Sequence, residues 1–89
     1  MNCVVSVLGK DRKGIVAAVS KTLCDCDTNI VDISQTILGE MFSMTMLVCI
    51  DTELSSFNKT QEALQKDGEN LGLQVTIQRQ DLFDSMYKI

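Results

Sequence analysis

MFSMTMLVCI, residues 41–50, is the stretch of sequence that decides the fold of this chain. Apolar side chains recur at every second position, a period typical of a β-strand with one buried face. Leu47 and Cys49 make the other face partly apolar as well, which indicates a central strand or a face that a partner covers. We therefore predict a strand over residues 41–51. Its period-two positions are Phe42, Met44, Met46, Val48 and Ile50.

The residues just before this strand predict its hairpin partner. Gly39–Glu40 is a hairpin turn signal, and residues 29–38 carry apolar side chains on one face and polar side chains on the other. We predict a strand here, at an edge of the sheet, and an uncovered edge invites pairing with another strand. The predicted apolar face consists of Val31, Ile33 and Ile37.

Amphipathic helices are predicted on both sides of the hairpin. Residues 14–26 place an apolar stripe at helical spacing. Asp11 lies just ahead of the first turn, where a carboxylate can accept free N–H groups. Residues 56–71 predict a second helix, which ends at the C-cap signal Gly72. The stripe of the first helix consists of Ile15, Val19, Leu23 and Cys26.

Residues 2–8 predict a largely buried strand and residues 73–80 predict a fourth strand, which completes the order β-α-β-β-α-β. This order is typical of the ferredoxin-like sandwich of the α+β class, a four-stranded antiparallel sheet with both helices on one face. Residues 81–89 predict a short C-terminal helix. A length of 89 residues fits one domain, residues 1–89.

Composition narrows the possible functions. The net charge is 8 − 12 = −4, whereas proteins that bind nucleic acid need clustered Lys and Arg, so we expect no nucleic-acid partner. No apolar run reaches the roughly 18–20 residues of a membrane span, and no basic leader is visible, so we expect a cytoplasmic protein with no membrane partner. The chain has no His, and its four cysteines form no C-x-x-C pair. We therefore predict no catalytic residues, no metal and no cofactor, and a protein that is not an enzyme.

Residues 9–14 form a loop with features that suit the binding of a small anion. The loop leads into a helix N-terminus, where free N–H groups and the positive end of the dipole suit a carboxylate or another small anion. Gly14 lets the backbone approach a ligand, and Lys10, Arg12 and Lys13 add positive charge. A capped turn with solvated basic residues explains the same pattern, and both interpretations stay open here. A nucleotide P-loop is disfavoured because the Lys and Ser or Thr that must follow the second glycine are absent.

DRKGIV (residues 11–16), placed after a short strand, resembles the ACT domain, an amino-acid-sensing module. The Asn29–Ile30 pair that opens the second strand resembles it too. The longer runs NIVDISQT (residues 29–36) and MFSM (residues 41–44) resemble a more particular group. This group consists of stand-alone bacterial and archaeal ACT-domain proteins related to the regulatory domains of the glycine cleavage system repressor. The resemblance covers essentially the whole chain.

The resemblance implies a domain that pairs with another copy through sheet edges. In members that bind amino acids, the ligand lies between the first loop of one copy and the second strand of its neighbour. Asp11 is then expected to contact the amino group of the ligand, and Gly14 and Ile15 to offer backbone N–H groups or close approach. Asn29 and Ile30 are expected to complete the site from the adjacent subunit.

Arg12 is expected to anchor the loop rather than the ligand, and Lys13 departs from the Pro often found at its position in the family. The leading hypothesis is a homodimeric regulatory domain that binds an amino acid. One alternative is a ligand-free interaction module that docks on a metabolic enzyme or regulator. Another is an enzyme of the acylphosphatase type, whose anion loop residues 9–14 do not match. The predicted ligand-binding residues are Lys10, Asp11, Arg12, Gly14, Ile15, Asn29 and Ile30.

Overall fold

Four strands and two helices occupy most of the chain that the computed structural model describes, residues 1–82. In chain order they are β1 (Asn2–Lys10), α1 (Ile15–Asp25), β2 (Thr28–Leu38), β3 (Met41–Ile50), α2 (Phe57–Leu71) and β4 (Gln74–Arg79). The strands form one antiparallel sheet in the order β2-β3-β1-β4. This arrangement confirms the predicted ferredoxin-like α+β fold and the central position of β3. Residues 80–82 are helical, and the rest of the helix predicted over residues 81–89 lies outside the described residues.

The core lies between one face of the sheet and the two helices. The predicted α1 stripe is buried, with its members Ile15, Val19 and Leu23 at most 2% exposed. A row of four aligned residues, one from each strand, crosses this face of the sheet. Its residue on β2, Ile33, is 42% exposed, whereas the other three are buried, so the core ends at β2. The helices therefore leave the edge strand uncovered along most of its length. The row across the sheet consists of Ile33, Met46, Val5 and Ile77.

β2 is an edge strand, as predicted, but its alternation is interrupted. A β-bulge between Ile30 and Asp32 leaves Val31 as the extra residue. Ile30 and Ile33 therefore share a face, and the predicted apolar face is wrong at Val31. A bulge adds one residue to one strand of a pair and shifts the alternation beyond it, which periodicity alone does not reveal.

β1 runs two residues further than predicted, through Gly9 to Lys10. A Cβ atom on Gly9 would clash with the side chain of Leu73, the residue just before β4. Gly9 therefore permits close approach of a neighbouring segment and does not end the strand. The loop that leads into α1 shortens to residues 11–14. The other predicted bounds agree with the structure to within one residue.

No helix within residues 1–82 is long and apolar enough to cross a membrane.

The close contact between α2 and the start of β4 generates the first prediction. A Cβ atom on Gly68 would lie 2.8 Å from the backbone oxygen of Leu73. Although Ala favours a helix over Gly by about 1 kcal/mol, we expect Gly68→Ala to lower the free energy of unfolding by about 1–3 kcal/mol because backbone must shift. Urea denaturation measures this change. Asn70→Ala, at an exposed position of the same helix, adds no new atom and serves as the control; equal stability of both variants contradicts the prediction.

Candidate functional site

The loop between β1 and α1 is held at both of its sides. The backbone N–H of Asp11 donates to the C=O of Glu40 at 2.7 Å, which ties the loop to the β2–β3 hairpin. Nη1 of Arg12 donates to the C=O of Leu71 at 3.3 Å, which ties it to the last turn of α2. The arginine therefore anchors the loop, in the manner that the sequence led us to expect.

Gly14 shapes the entrance to α1. It is the N-cap residue with φ 87° and ψ 4°, in the left-handed region that favours glycine. No side chain caps the helix at this end, so the predicted capping role of Asp11 is wrong. The reason is geometric: the carboxylate belongs to a residue three positions before the cap, whose backbone is bound to the hairpin. The first N–H groups of α1 are consequently left without a side-chain partner.

Open space lies beside these N–H groups. A Cβ atom on Gly14 would meet no atom within 4 Å, so the glycine is required by its backbone angles and not by crowding. Ile15 is buried and can offer a ligand only its backbone. A shallow depression of about 380 Å³ adjoins the loop, within the range of about 300–1,000 Å³ typical of small-molecule sites. Its lining consists of Lys10, Asp11, Arg12, Leu71 and Gly72.

Asn29 and Ile30 lie at the opposite end of the sheet. Asn29 is exposed and pairs with Cys49, which in turn pairs with Asn2 at the start of β1. Lys10 is eight residues further along β1, a distance of roughly 26 Å at about 3.3 Å per residue. The structure thus brings five of the predicted site residues together in the loop and keeps Asn29 and Ile30 away from them within one copy.

A larger cleft, of about 680 Å³, surrounds Asn29 at that end. It lies between the start of β2, the end of β3 and the segment that follows β3. Three carboxylates line it, from Asp27, Asp51 and Glu53, and no basic residue is among its lining residues. These carboxylates were not predicted to lie together, because Asp27 is distant along the chain from Asp51 and Glu53. The signal that could have found them is the register of the predicted β2–β3 hairpin, which places residues 27 and 51 side by side.

Two of the four cysteines, Cys24 and Cys49, line the larger cleft. All four are free, with Cys3 and Cys26 buried and Cys24 exposed. Burial raises the pKa of the Cys3 thiol, which keeps it protonated and unreactive at neutral pH. Within residues 1–82 no group of three or more His, Cys, Asp or Glu side chains is arranged to hold a metal ion.

Comparisons with known proteins agree with the fold described above. The family model of the ACT domain matches residues 2–78. The chain belongs to the ACT-domain family. It is 49% identical over 86 residues to a UPF0237 protein of Methanocaldococcus jannaschii, a match that covers 97% of this chain and 96% of that protein. The resemblance noted in the sequence is thereby confirmed.

Solved structures place this ACT domain among similar folds. An ACT domain protein from Streptococcus pneumoniae is 38% identical, with a TM-score of 0.81 and 98% of both chains covered. A structure described as a glycine cleavage system transcriptional repressor shares the fold at 22% identity and a TM-score of 0.75, over 86% of this chain and 44% of that one. ACT domains are in general regulatory domains that bind small-molecule ligands, and they often dimerise.

The anchoring role of Arg12 in this ACT domain generates the second prediction. Arg12→Ala removes the bond to Leu71, worth about 0.5–1.5 kcal/mol. We therefore expect the amide of Asp11 to exchange its hydrogen up to roughly tenfold faster. Hydrogen exchange followed by NMR measures this rate. Lys13→Ala is the control, because Lys13 is exposed and has no hydrogen-bond partner among residues 1–82. An unchanged rate in Arg12→Ala would show that the loop holds its shape without the arginine.

Proposed function

We propose that this chain, a single domain over residues 1–89, is a cytoplasmic and non-catalytic regulatory domain that binds an amino acid as a homodimer. The ligand lies between the first loop of one copy and the start of β2 of the other. No metal, cofactor, nucleic acid or membrane takes part. The proposed ligand-binding residues are Lys10, Asp11, Arg12, Gly14, Ile15, Asn29 and Ile30.

The observation that supports this proposal is that the loop and Asn29 lie near opposite ends of an uncovered edge strand. The loop lies near the end of β2, since Lys10 pairs with Met41 and Met41 pairs with Leu38. Asn29 lies near the start of the same strand. Two copies of β2 that pair antiparallel about a two-fold axis put the start of one strand beside the end of the other. Each loop then receives Asn29 from the second copy, and the dimer contains two complete sites.

The chemistry of an α-amino acid suits the loop. The free N–H groups at the start of α1 and the positive end of its dipole favour the carboxylate of such a ligand. The carboxylate of Asp11 is exposed and offers an ion pair to the ammonium group. Lys10 adds a second positive charge at the rim of the depression. Both charges of a zwitterion thus have a counterpart within a few residues of the chain.

A ligand-free interaction module is the second candidate function. The edge strand exposes apolar side chains, with Val31 59% and Leu38 80% exposed, and such an edge also fits a strand of an unrelated enzyme or regulator. In that function the loop depression is not used. The response to ligand distinguishes the two candidates.

The third prediction is a thermal response to amino acids. A ligand present at about 100 times its Kd stabilises the folded state by about 2.7 kcal/mol, which raises Tm by roughly 10–20 °C in a domain of this size. We expect at least one of the protein amino acids to produce such a rise in differential scanning fluorimetry. Asp11→Asn should abolish it because the ammonium group loses its counter-charge. Glu62→Gln, exposed on α2, is the control. No response to any amino acid would favour the interaction module.

The fourth prediction tests whether two copies share each site. Asp11→Ala and Asn29→Ala should each abolish the response to the ligand found above. When the two variants are mixed and allowed to exchange subunits, each heterodimer has one site with both residues intact. About a quarter of all sites should therefore recover, because half of the dimers are mixed and half of their sites are complete. Isothermal titration calorimetry counts the recovered sites. If no sites recover, then Asp11 and Asn29 do not act across the dimer.

A further inference from the structure

β4 is the second edge strand of the sheet, and unlike β2 it is regular. Within residues 1–82 it pairs with β1 alone, in an antiparallel register that runs without a shift from Gln74 to Arg79. An edge strand presents a row of unpaired N–H and C=O groups on its outer side. Residues 74–78 carry no charge, no Pro and three β-branched side chains, a composition that favours pairing with a further strand.

A groove runs between this edge and α2. It consists of two adjoining depressions of about 630 Å³ and about 230 Å³, which share the lining residues Gln65, Val75 and Thr76. Their linings extend along the chain from Leu73 to Gln78. This stretch is roughly 17 Å long at about 3.3 Å per residue. The groove therefore has the length of about five residues of an extended peptide.

One stripe of α2 forms the helix side of the groove. Gln61, Gln65 and Glu69 line it and are spaced four residues apart, so they lie on one face of the helix. The side chains of Gln61 and Gln65 have no hydrogen-bond partner among residues 1–82. A carboxamide both donates and accepts, so these two side chains can bind the backbone of a peptide that lies along β4. The apolar lining residues of the groove include Leu64, Val75 and Ile77.

Glu69 gives the groove its charge. In the part of the chain that the structure describes, it is the only charged lining residue of either depression. Its side chain is exposed and forms no ion pair there. The depression that Glu69 lines also includes Leu73 and Gln74, so the carboxylate lies near the start of β4. This end of the groove attracts a basic side chain and repels an acidic one.

We propose that this groove binds an extended segment of a partner protein, which joins the sheet as a strand beside β4. The segment has apolar side chains at every second position and a basic residue at the end that lies near Glu69. Backbone pairing with an edge strand supplies affinity, and contacts of alternate side chains supply specificity. β2 lies at the opposite edge of the sheet. The groove therefore stays accessible when β2 pairs with a second copy, and the inference does not depend on the proposed amino-acid site.

Selection of peptides tests the proposal. The probe is a phage-displayed library of random peptides of about ten residues, a length that exceeds the groove, and the target is the full chain. We expect the enriched peptides to alternate apolar and polar side chains and to carry Lys or Arg at one end. A synthetic peptide of enriched sequence should slow hydrogen exchange at the amides of β4 that do not bond to β1, as measured by NMR. The amides of β2 should exchange at an unchanged rate.

Charge reversal at Glu69 tests the contact with the basic residue. We expect Glu69→Lys to raise the dissociation constant of the peptide at least roughly fivefold at low salt. A second peptide, with Glu in place of its basic residue, should bind Glu69→Lys more tightly than it binds the unmodified chain. Glu62→Lys makes the same change of charge at an exposed position of α2 outside the groove. This control should leave both dissociation constants unchanged.

Several outcomes overturn the proposal. They are a library that yields no enriched peptide, peptides that protect β2 and not β4, and equal weakening by Glu69→Lys and Glu62→Lys. Protection of the outward amides of β4 in the free chain overturns it too. If that protection is the same at all protein concentrations, the chain's own residues fill the groove, and if it grows with concentration, a second copy does.

Discussion

The candidate site depends on one backbone hydrogen bond at the end of the β1–β3 pairing. The N–H of Asp11 binds the C=O of Glu40 one residue beyond the paired strands, so the chain leaves the sheet beside the β2–β3 hairpin. Residues 11–14 then connect it to α1. Because the register of a buried strand cannot slip without turning its apolar side chains to solvent, the core of the sheet determines where α1 begins and where its free N–H groups point.

Packing constrains the loop from the opposite side as well. Leu73 lies against Gly9 of β1 and Gly68 of α2, at positions where a Cβ atom has no room. These two glycines let the end of α2 approach the end of β1. The C=O of Leu71 can consequently accept from Arg12. The loop is thus held by hydrogen bonds to Glu40 and Leu71, whose positions follow from the packing of the sheet and α2, and no side chain caps the start of α1.

The sequence predicts the order of elements well because that order follows from periodicity. Alternation across residues 41–50 and the helical spacing of Ile15, Val19 and Leu23 are local patterns, and both agree with the structure. The missed features depend on contacts between distant segments. In the sequence Gly9 resembles the end of a strand, and only the structure shows that it makes room for Leu73. The bulge at Val31 is defined by the pairing of β2 with β3, which the sequence of β2 alone does not reveal. The larger cleft around Asn29 likewise unites residues that only the strand register brings together.

In the proposed dimer, the distance between the loop and Asn29 of one copy has a thermodynamic consequence for regulation. A ligand that contacts the loop of one copy and Asn29 of another binds the dimer and not the monomer, so ligand binding and association are linked, and each strengthens the other by the same factor. A small domain whose uncovered edge strand exposes apolar side chains, such as Val31 and Leu38, is suited to such linkage. The ligand concentration can then control how much of the protein is dimeric. Regulation by this route needs no catalysis.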